Sequence, residues 1–338
     1  HFILEVSMSK ITNLQDVSLA LAVWLVHDEY DYIDQPNYVS ATSLMKPLRQ
    51  IVLAPRATEN EPPDVVDFIS RAMGNSMHAS IEKAWTDNYP RSLKLLGYPD
   101  KAIQSIQINP SDEKAAEPGT IPIYLEQRAF RTIKVNGTEF TIGGKFDLVT
   151  DGLLQDTKST SSFVWMKGDR QDKQYQLQGS IYRWIDAAQP RPKILEDVIR
   201  INFIFTDWQK HMAKSNPSYP QKRVESRDIP LLSLEATEQW IMSKLTMIER
   251  YKNTAEPNIP ECSDEELWRS DPVHKYYADP NNTSGRSTKN FDNLADAQAF
   301  YASKGGKGVV LSVPGEPKRC GYCPVFNVCT QKDRYFTP

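Results

Sequence analysis

Long hydrophobic runs are missing from this 338-residue sequence. No apolar stretch approaches the ~20 residues that a helix needs to cross a bilayer, and no secretory signal is apparent, so the expectation is a cytoplasmic protein with no membrane partner. Strong charge of either sign is missing too: 40 Lys and Arg against 43 Asp and Glu leave a formal net charge of -3. Bulk charge therefore does not announce a protein that coats nucleic acid, although it leaves room for an enzyme whose local basic track is offset by an acidic metal site. There is no internal repeat, no low-complexity tract and no Gly-x-x-x-x-Gly-Lys-Ser/Thr phosphate loop, which excludes a helicase motor of that type within these residues. Cysteine is scarce. The four are Cys262, Cys320, Cys323 and Cys329, the last three within ten residues. With no sign of secretion, metal ligation is a stronger reading than a disulfide framework.

The length allows one large α/β domain with additions, or two domains. The opening seven residues precede Met8-Ser9-Lys10, which reads as a native beginning, so residues 1–7 are set aside as an expression remnant. Residues 8–60 read as mainly helical, with a polar stretch from Pro36 to Ser40 and a loop at 59–64. Asp64 is placed to cap a helix carrying Val66, Phe68, Ile69 and Met73 towards His78, Ile81 and Trp85. Residues 99–120 read as a connection.

The period then changes. Residues 121–135 are β-branched and alternating, Asn136-Gly137 is a hairpin turn, and strands are expected at 138–142, 145–150 and 153–158, with Asp151-Gly152 turning between the last two. Leu177, Ile181, Trp184 and Ile185 share one face of a helix over 173–187. A buried strand is expected at 197–206, a helix at 235–251, and a loop-rich remainder ending in the cysteines.

On this hairpin Asp147 lies on one strand, and Asp156 and Lys158 leave the same face of the next. Two carboxylates and a lysine gathered on one face are costly as packing, but suit a hard divalent cation such as Mg²⁺ or Mn²⁺. The cation would activate a water and neutralise charge building on a phosphate, with Lys158 holding or helping to deprotonate that water and stabilising the transition state. Asp-x-Lys alone is common; the upstream Asp at hairpin spacing and Gly143-Gly144 before it carry the functional reading.

The segment from Gly143 to Lys158 resembles motifs II and III of PD-(D/E)XK nucleases, and two more segments match the RecB-like branch of that superfamily. Gly74-Asn-Ser-Met-His78-Ala-Ser-Ile-Glu82 resembles its helical Gly-x-x-x-His-x-x-x-Glu motif, which implies His78 as a further metal ligand. Glu82, one turn on, either orients His78 or pairs with a lysine. Gln178-Gly-Ser-Ile-Tyr182 resembles its Gln-x-x-x-Tyr helix, whose polar groups sit beside the metal and contact the DNA backbone or the catalytic lysine. The resemblance spans roughly residues 40–335. It implies an α/β fold: a central mixed β-sheet flanked by helices, with a helical N-terminal part (8–120), the nuclease core (121–255) and a cysteine-rich C-terminal region (256–338). It also implies catalytic Asp147, Asp156, Lys158, Gln178 and Tyr182, and metal ligands His78, Asp147, Asp156 and the Thr157 carbonyl.

The C-x₂-C-x₅-C spacing at Cys320, Cys323 and Cys329 resembles that of RecB-like nucleases with [4Fe–4S] clusters, including AddB and the CRISPR adaptation nuclease. Those relatives take their fourth cysteine from before the core; here the candidate is Cys262, after it. Zn²⁺ is the alternative occupant of a four-cysteine site. Trp165, Lys167, Arg170 and Lys173 combine aromatic and basic groups as single-strand grooves do, though a solvated loop fits them equally. Lys210, Lys214, Lys222 and Arg223 form a second basic region. The stretch from Tyr38 to Arg49 resembles the opening of phage-encoded members, which implies a DNA exonuclease acting in recombination or processing, with a single-strand annealing protein as a candidate partner. A structure-specific or site-specific endonuclease, or a non-catalytic DNA-binding protein of the same fold, are the alternatives.

Overall fold

A computed structural model describes residues 11–29, 32–57, 62–167 and 169–336, with the side chains of Lys167, Asp169 and Arg170 excepted. The expected remnant, residues 1–7, and part of the expected loop at 59–64 lie outside the described residues. The chain forms two compact units. One takes the chain up to Met45 and Glu61–Thr246; the other takes Lys46–Asn60 and Met247–Pro338. These bounds differ from the divisions expected at 120/121 and 255/256, because the His78 helix packs with the sheet and a short N-terminal segment belongs with the cysteines.

The first unit is a mixed sheet flanked by helices. Its strands are β1 (Tyr38–Ser40), β2 (Ile106–Ile108), β3 (Ile121–Val135), β4 (Thr138–Thr150), β5 (Leu153–Thr160), β6 (Val198–Phe205) and β7 (Val224–Pro230). They run in the order β2-β3-β4-β5-β6-β7, and β1 pairs with β4. The β3–β4–β5 run is antiparallel, as expected, and β5–β6 is parallel. Both hairpin turns fall where the sequence places them: Asn136, Gly137, Asp151 and Gly152 all take the positive φ that such turns demand.

Several expectations need correction. The two strands expected at 138–142 and 145–150 are one strand, β4. Gly143-Gly144 does not interrupt it. These glycines serve close packing: a Cβ on Gly143 would lie 2.4 Å from the Tyr38 hydroxyl oxygen, and one on Gly144 2.8 Å from the Tyr182 ring. Within the polar stretch, Tyr38–Ser40 forms a strand, the parallel neighbour of Thr141–Gly143. The connection at 99–120 contains β2 and two short helices, Asp100–Ser105 and Asp112–Ala116.

Two helices position the candidate site. Asp64 caps a 3-10 turn, Val65–Phe68, through a reciprocal capping box with Asp67, and the helix Ile69–Leu95 follows. This helix runs beyond the expected Trp85, and Trp85, Tyr89 and Leu93 pack on Ile106, Ile123 and Leu125. The helix Asp169–Asp186 lies against β3, β4 and β6. Its Ile181, Trp184 and Ile185 are fully buried, each contributing roughly 1.5–3 kcal/mol of transfer free energy.

The second unit is not merely loop-rich. It holds a three-stranded sheet of β8 (Val273–Tyr277), β9 (Lys289–Phe291) and β10 (Val309–Val313), with a helix Leu294–Ser303 against it. His274 is buried there, its Nδ1 2.7 Å from the Ser312 Oγ. No helix among the described residues is long and apolar enough to cross a membrane.

Candidate functional site

The hairpin register sets the first part of the site. Asp156 ends up buried on β5, and Lys158 Nζ donates to it, 3.0 Å from Oδ1 and 2.8 Å from Oδ2. Asp147 on β4 is close enough to Asp156 to share a hydrogen bond with it. The His78 helix completes the approach: His78 Nδ1 lies 3.2 Å from Asp147 Oδ2.

Sequence reasoning missed Glu126. It lies on β3 between Leu125, which pairs with Leu148, and Gln127, which pairs with Phe146, so it stands opposite Asp147. Its φ is 52°, uncommon for a non-glycine residue and a local distortion of the ladder. One ligand atom each from His78, Glu126 and Asp147 lies within 4.8 Å of the others. These three line a cleft together with Glu82 and Thr157. Among the described residues Glu82 forms no ion pair, so it lines the cleft without the lysine partner considered for it.

The electrostatics follow from two acids in a confined space. Burial, then the neighbouring charge of Asp156, pushes Asp147 up to about 8. Burial opposes the charge on Lys158, but Asp156 and Asp147 outweigh it and hold the ammonium above its usual range. The Oδ2 atoms of Asp147 and Asp156 are buried, and the nitrogens beside them are His78 Nδ1 at 3.2 Å and Lys158 Nζ at 2.8 Å. Buried carboxylates this crowded are destabilising unless cationic groups offset their charge.

Gln178 and Tyr182 share a face of their helix, and Gln178 Nε2 donates to the Tyr182 hydroxyl at 3.2 Å. Tyr175, three residues before Gln178 and also missed as a site residue, presents its ring 6.0 Å from Lys158 Nζ. Burial raises the Tyr175 hydroxyl, with the Lys158 charge opposing.

In the expected DNA-binding segment, residues 162–167 are a helix, and the half-buried Trp165 ring meets Phe203 and Phe205 edge-on at 5.5 and 5.7 Å, with the Arg227 guanidinium 4.2 Å from its centroid. Lys173 is exposed, and the side chains of Lys167 and Arg170 lie outside the described residues. Lys210, Lys214, Lys222 and Arg223 are exposed.

In the second unit all four cysteines are free and line one cavity with Arg49, Arg319 and Gln331. A 3-10 turn, Lys318–Tyr322, brings Cys323 N to within 3.2 Å of the Cys320 carbonyl oxygen. The Gln331 side chain exchanges two 2.9 Å hydrogen bonds with the Cys262 backbone, tying the tail to that segment. Burial pushes the Cys262 thiol up to about 12 and raises Cys320 and Cys323, with neighbouring sulfurs adding to each. No three of the cysteine sulfurs lie within 4.8 Å of one another.

No family model matches the chain, and no curated protein matches it. Among solved structures it is similar to the crystal structure of SSO0001, with 16% identity over 66% of this chain and 80% of that one, and a TM-score of 0.38. A likeness this distant carries no argument about fold or function.

Proposed function

We propose that the chain is a divalent-metal-dependent deoxyribonuclease of the PD-(D/E)XK type, a DNA exonuclease of phage character working in recombination or DNA processing. One observation carries the reading: ligand atoms of His78, Glu126 and Asp147 converge in a cleft beside Asp156 and Lys158. An imidazole and carboxylates suit Mn²⁺, and carboxylates with a backbone carbonyl suit Mg²⁺. Asp147, Asp156, His78 and Glu126 would hold the ion, and Thr157, whose carbonyl is the further expected ligand, lines the same cleft. When bound, it supplies a water of lowered pKa and charge neutralisation at the scissile phosphate.

The chain's own groups do the rest. Lys158 is paired with Asp156, and beside a bound phosphate it would serve as a hydrogen-bond donor and positive charge, holding the attacking water or helping to deprotonate it. Tyr175 packs beside it and limits its freedom. Gln178 and Tyr182 hold each other in orientation on the next turns of that helix.

We read the cysteine cavity, lined by four thiols, as the seat of a [4Fe–4S] cluster, with zinc the alternative occupant. Its role would be structural, since phosphodiester hydrolysis needs no electron transfer.

The test is digestion of end-labelled single- and double-stranded DNA beside closed circles, with and without Mn²⁺. Metal-dependent loss of linear DNA with circles spared supports the exonuclease; cut circles turn the reading to an endonuclease. No cleavage under any metal overturns it.

A further inference from the structure

Arg49 is a buried cation with no role in the hydrolytic site, only 3% exposed. It lies on the short helix Leu48–Leu53 and reaches the cysteine cavity. One face of its guanidinium is fully anchored: Nη1 donates to the Ile259 carbonyl at 2.8 Å, and Nη2 forms an ion pair with Glu256. The remaining donor, Nε, points at the Cys329 sulfur, 3.1 Å away. The carboxylate of Glu256 also receives the Thr330 backbone N–H at 2.9 Å. Cys329 is therefore gripped from both sides, at its sulfur by Arg49 and at the next residue by the acid that aims Arg49.

A neutral thiol is a weak acceptor and gives a buried guanidinium N–H little return. A thiolate is a charged acceptor and makes the same contact a strong one. Lysine could supply the charge but not this arrangement, because only the planar fork reaches carbonyl, carboxylate and sulfur at once. We propose that Arg49 is a positioning residue of the four-cysteine site: its Nε–H donates to the Cys329 thiolate, fixing that ligand and setting how strongly the sulfur donates to the bound cluster. The inference rests on the iron–sulfur reading of the cavity. Hydrogen bonds to ligand sulfur withdraw electron density from the iron and raise its potential, so the potential is a readout even where the cluster performs no electron transfer.

The test compares wild type with Arg49→Lys, Arg49→Gln and Glu256→Gln after anaerobic reconstitution with ferrous iron and sulfide. Iron content, a potentiometric titration followed by electron paramagnetic resonance, and the rate of iron loss to a chelator are measured. Arg49→Lys is expected to load iron, to show a more negative potential and to release iron roughly tenfold faster, the factor that loss of one hydrogen bond to a charged group implies. Glu256→Gln, which keeps Arg49 but loosens its aim, is expected to shift the same way by less. It also decides the matter if Arg49→Gln fails to fold. Wild type that takes up no iron overturns the cluster reading and this inference with it. Wild type that holds a cluster while the folded variants match its potential and release rate overturns the inference alone.

Discussion

Lys158 Nζ sits 2.8 Å from Asp156 Oδ2, and that oxygen is otherwise buried without a donor. The lysine and the acid are thus one unit, with the acid fixing the cation. Lys158→Ala should lower the turnover of DNA by roughly 10²–10³-fold, the size expected for losing one preorganised donor to a developing charge. DNA binding should change little. Asp156→Ala removes a metal ligand as well, so cleavage should fall by orders of magnitude with folding kept. Nuclease activity undiminished in Asp156→Ala would falsify the site assignment.

Glu126 and His78 make separable claims about the metal. Each offers one ligand atom beside Asp147, so Glu126→Gln and His78→Ala should each weaken Mn²⁺ binding by roughly ten- to a hundredfold in a calorimetric titration. If His78 only packs, its substitution alters the melting temperature and leaves the titration as it was. The same logic applies to Glu126, whose ion pair with Lys145 at 2.5 Å is the competing structural role.

The crowded acids predict how the metal-free protein responds to pH. Asp147 is pushed from an ordinary 3.8 to about 8, first by burial and then by Asp156. The folded protein therefore holds a proton that the unfolded chain has released across that window. Stability from this group falls as pH rises from about 4 to about 8, and it is unaffected below. In chelator, the melting temperature should decline over this range, and Asp147→Asn should remove part of the decline. Added Mn²⁺ at pH 8 should restore stability by binding the ionised form. Equal slopes for wild type and Asp147→Asn in chelator count against the shared-proton picture.

Gly144 tests the packing that brings the Gln178 helix to the sheet. A Cβ there would lie 2.8 Å from the Tyr182 ring and 3.1 Å from Ile185. Gly144→Ala should cost about 1–3 kcal/mol in a denaturant titration, as overpacking of a tight core does. Displacement of Tyr182 should lower activity further than the stability loss explains. A stability equal to wild type would mean the ring moves freely.

Much of this site was legible because hairpin turns are local. Asn136-Gly137 and Asp151-Gly152 fix β3, β4 and β5, and with them the meeting of Asp147, Asp156 and Lys158. Glu126 was within reach of the same argument: counting back through the Asn136-Gly137 turn puts it opposite Asp147. Its positive φ was not readable, since nothing in the residue type demands it. The role of Gly143-Gly144 was misread because a glycine pair looks the same as a strand break and as a seat for two tyrosine rings brought from elsewhere in the chain. The contacts of Trp165 were not legible because its partners, Phe203, Phe205 and Arg227, come from strands far along the sequence. The small sheet of β8–β10 escaped notice because its strands are short and carry little alternation.

The cysteine cavity makes the last prediction. Cys262 comes from a segment well before the C-x₂-C-x₅-C run, yet it lines the same cavity and its backbone is bound to Gln331, two residues past Cys329. Burial favours the protonated thiols of Cys262, Cys320 and Cys323, so metal must displace protons to bind, and loading should be favoured at higher pH. Anaerobically purified protein should be brown, with broad absorbance that dithionite bleaches, and should hold iron and sulfide in equal amounts. Cys262→Ala should lose most of that iron, because three thiolates leave one iron of the cluster without its protein ligand. A colourless protein with one zinc per chain would keep the four-cysteine site and replace its occupant. Iron content unchanged in Cys262→Ala would instead remove Cys262 from the site, leaving its contact with Gln331 as a plain structural tie.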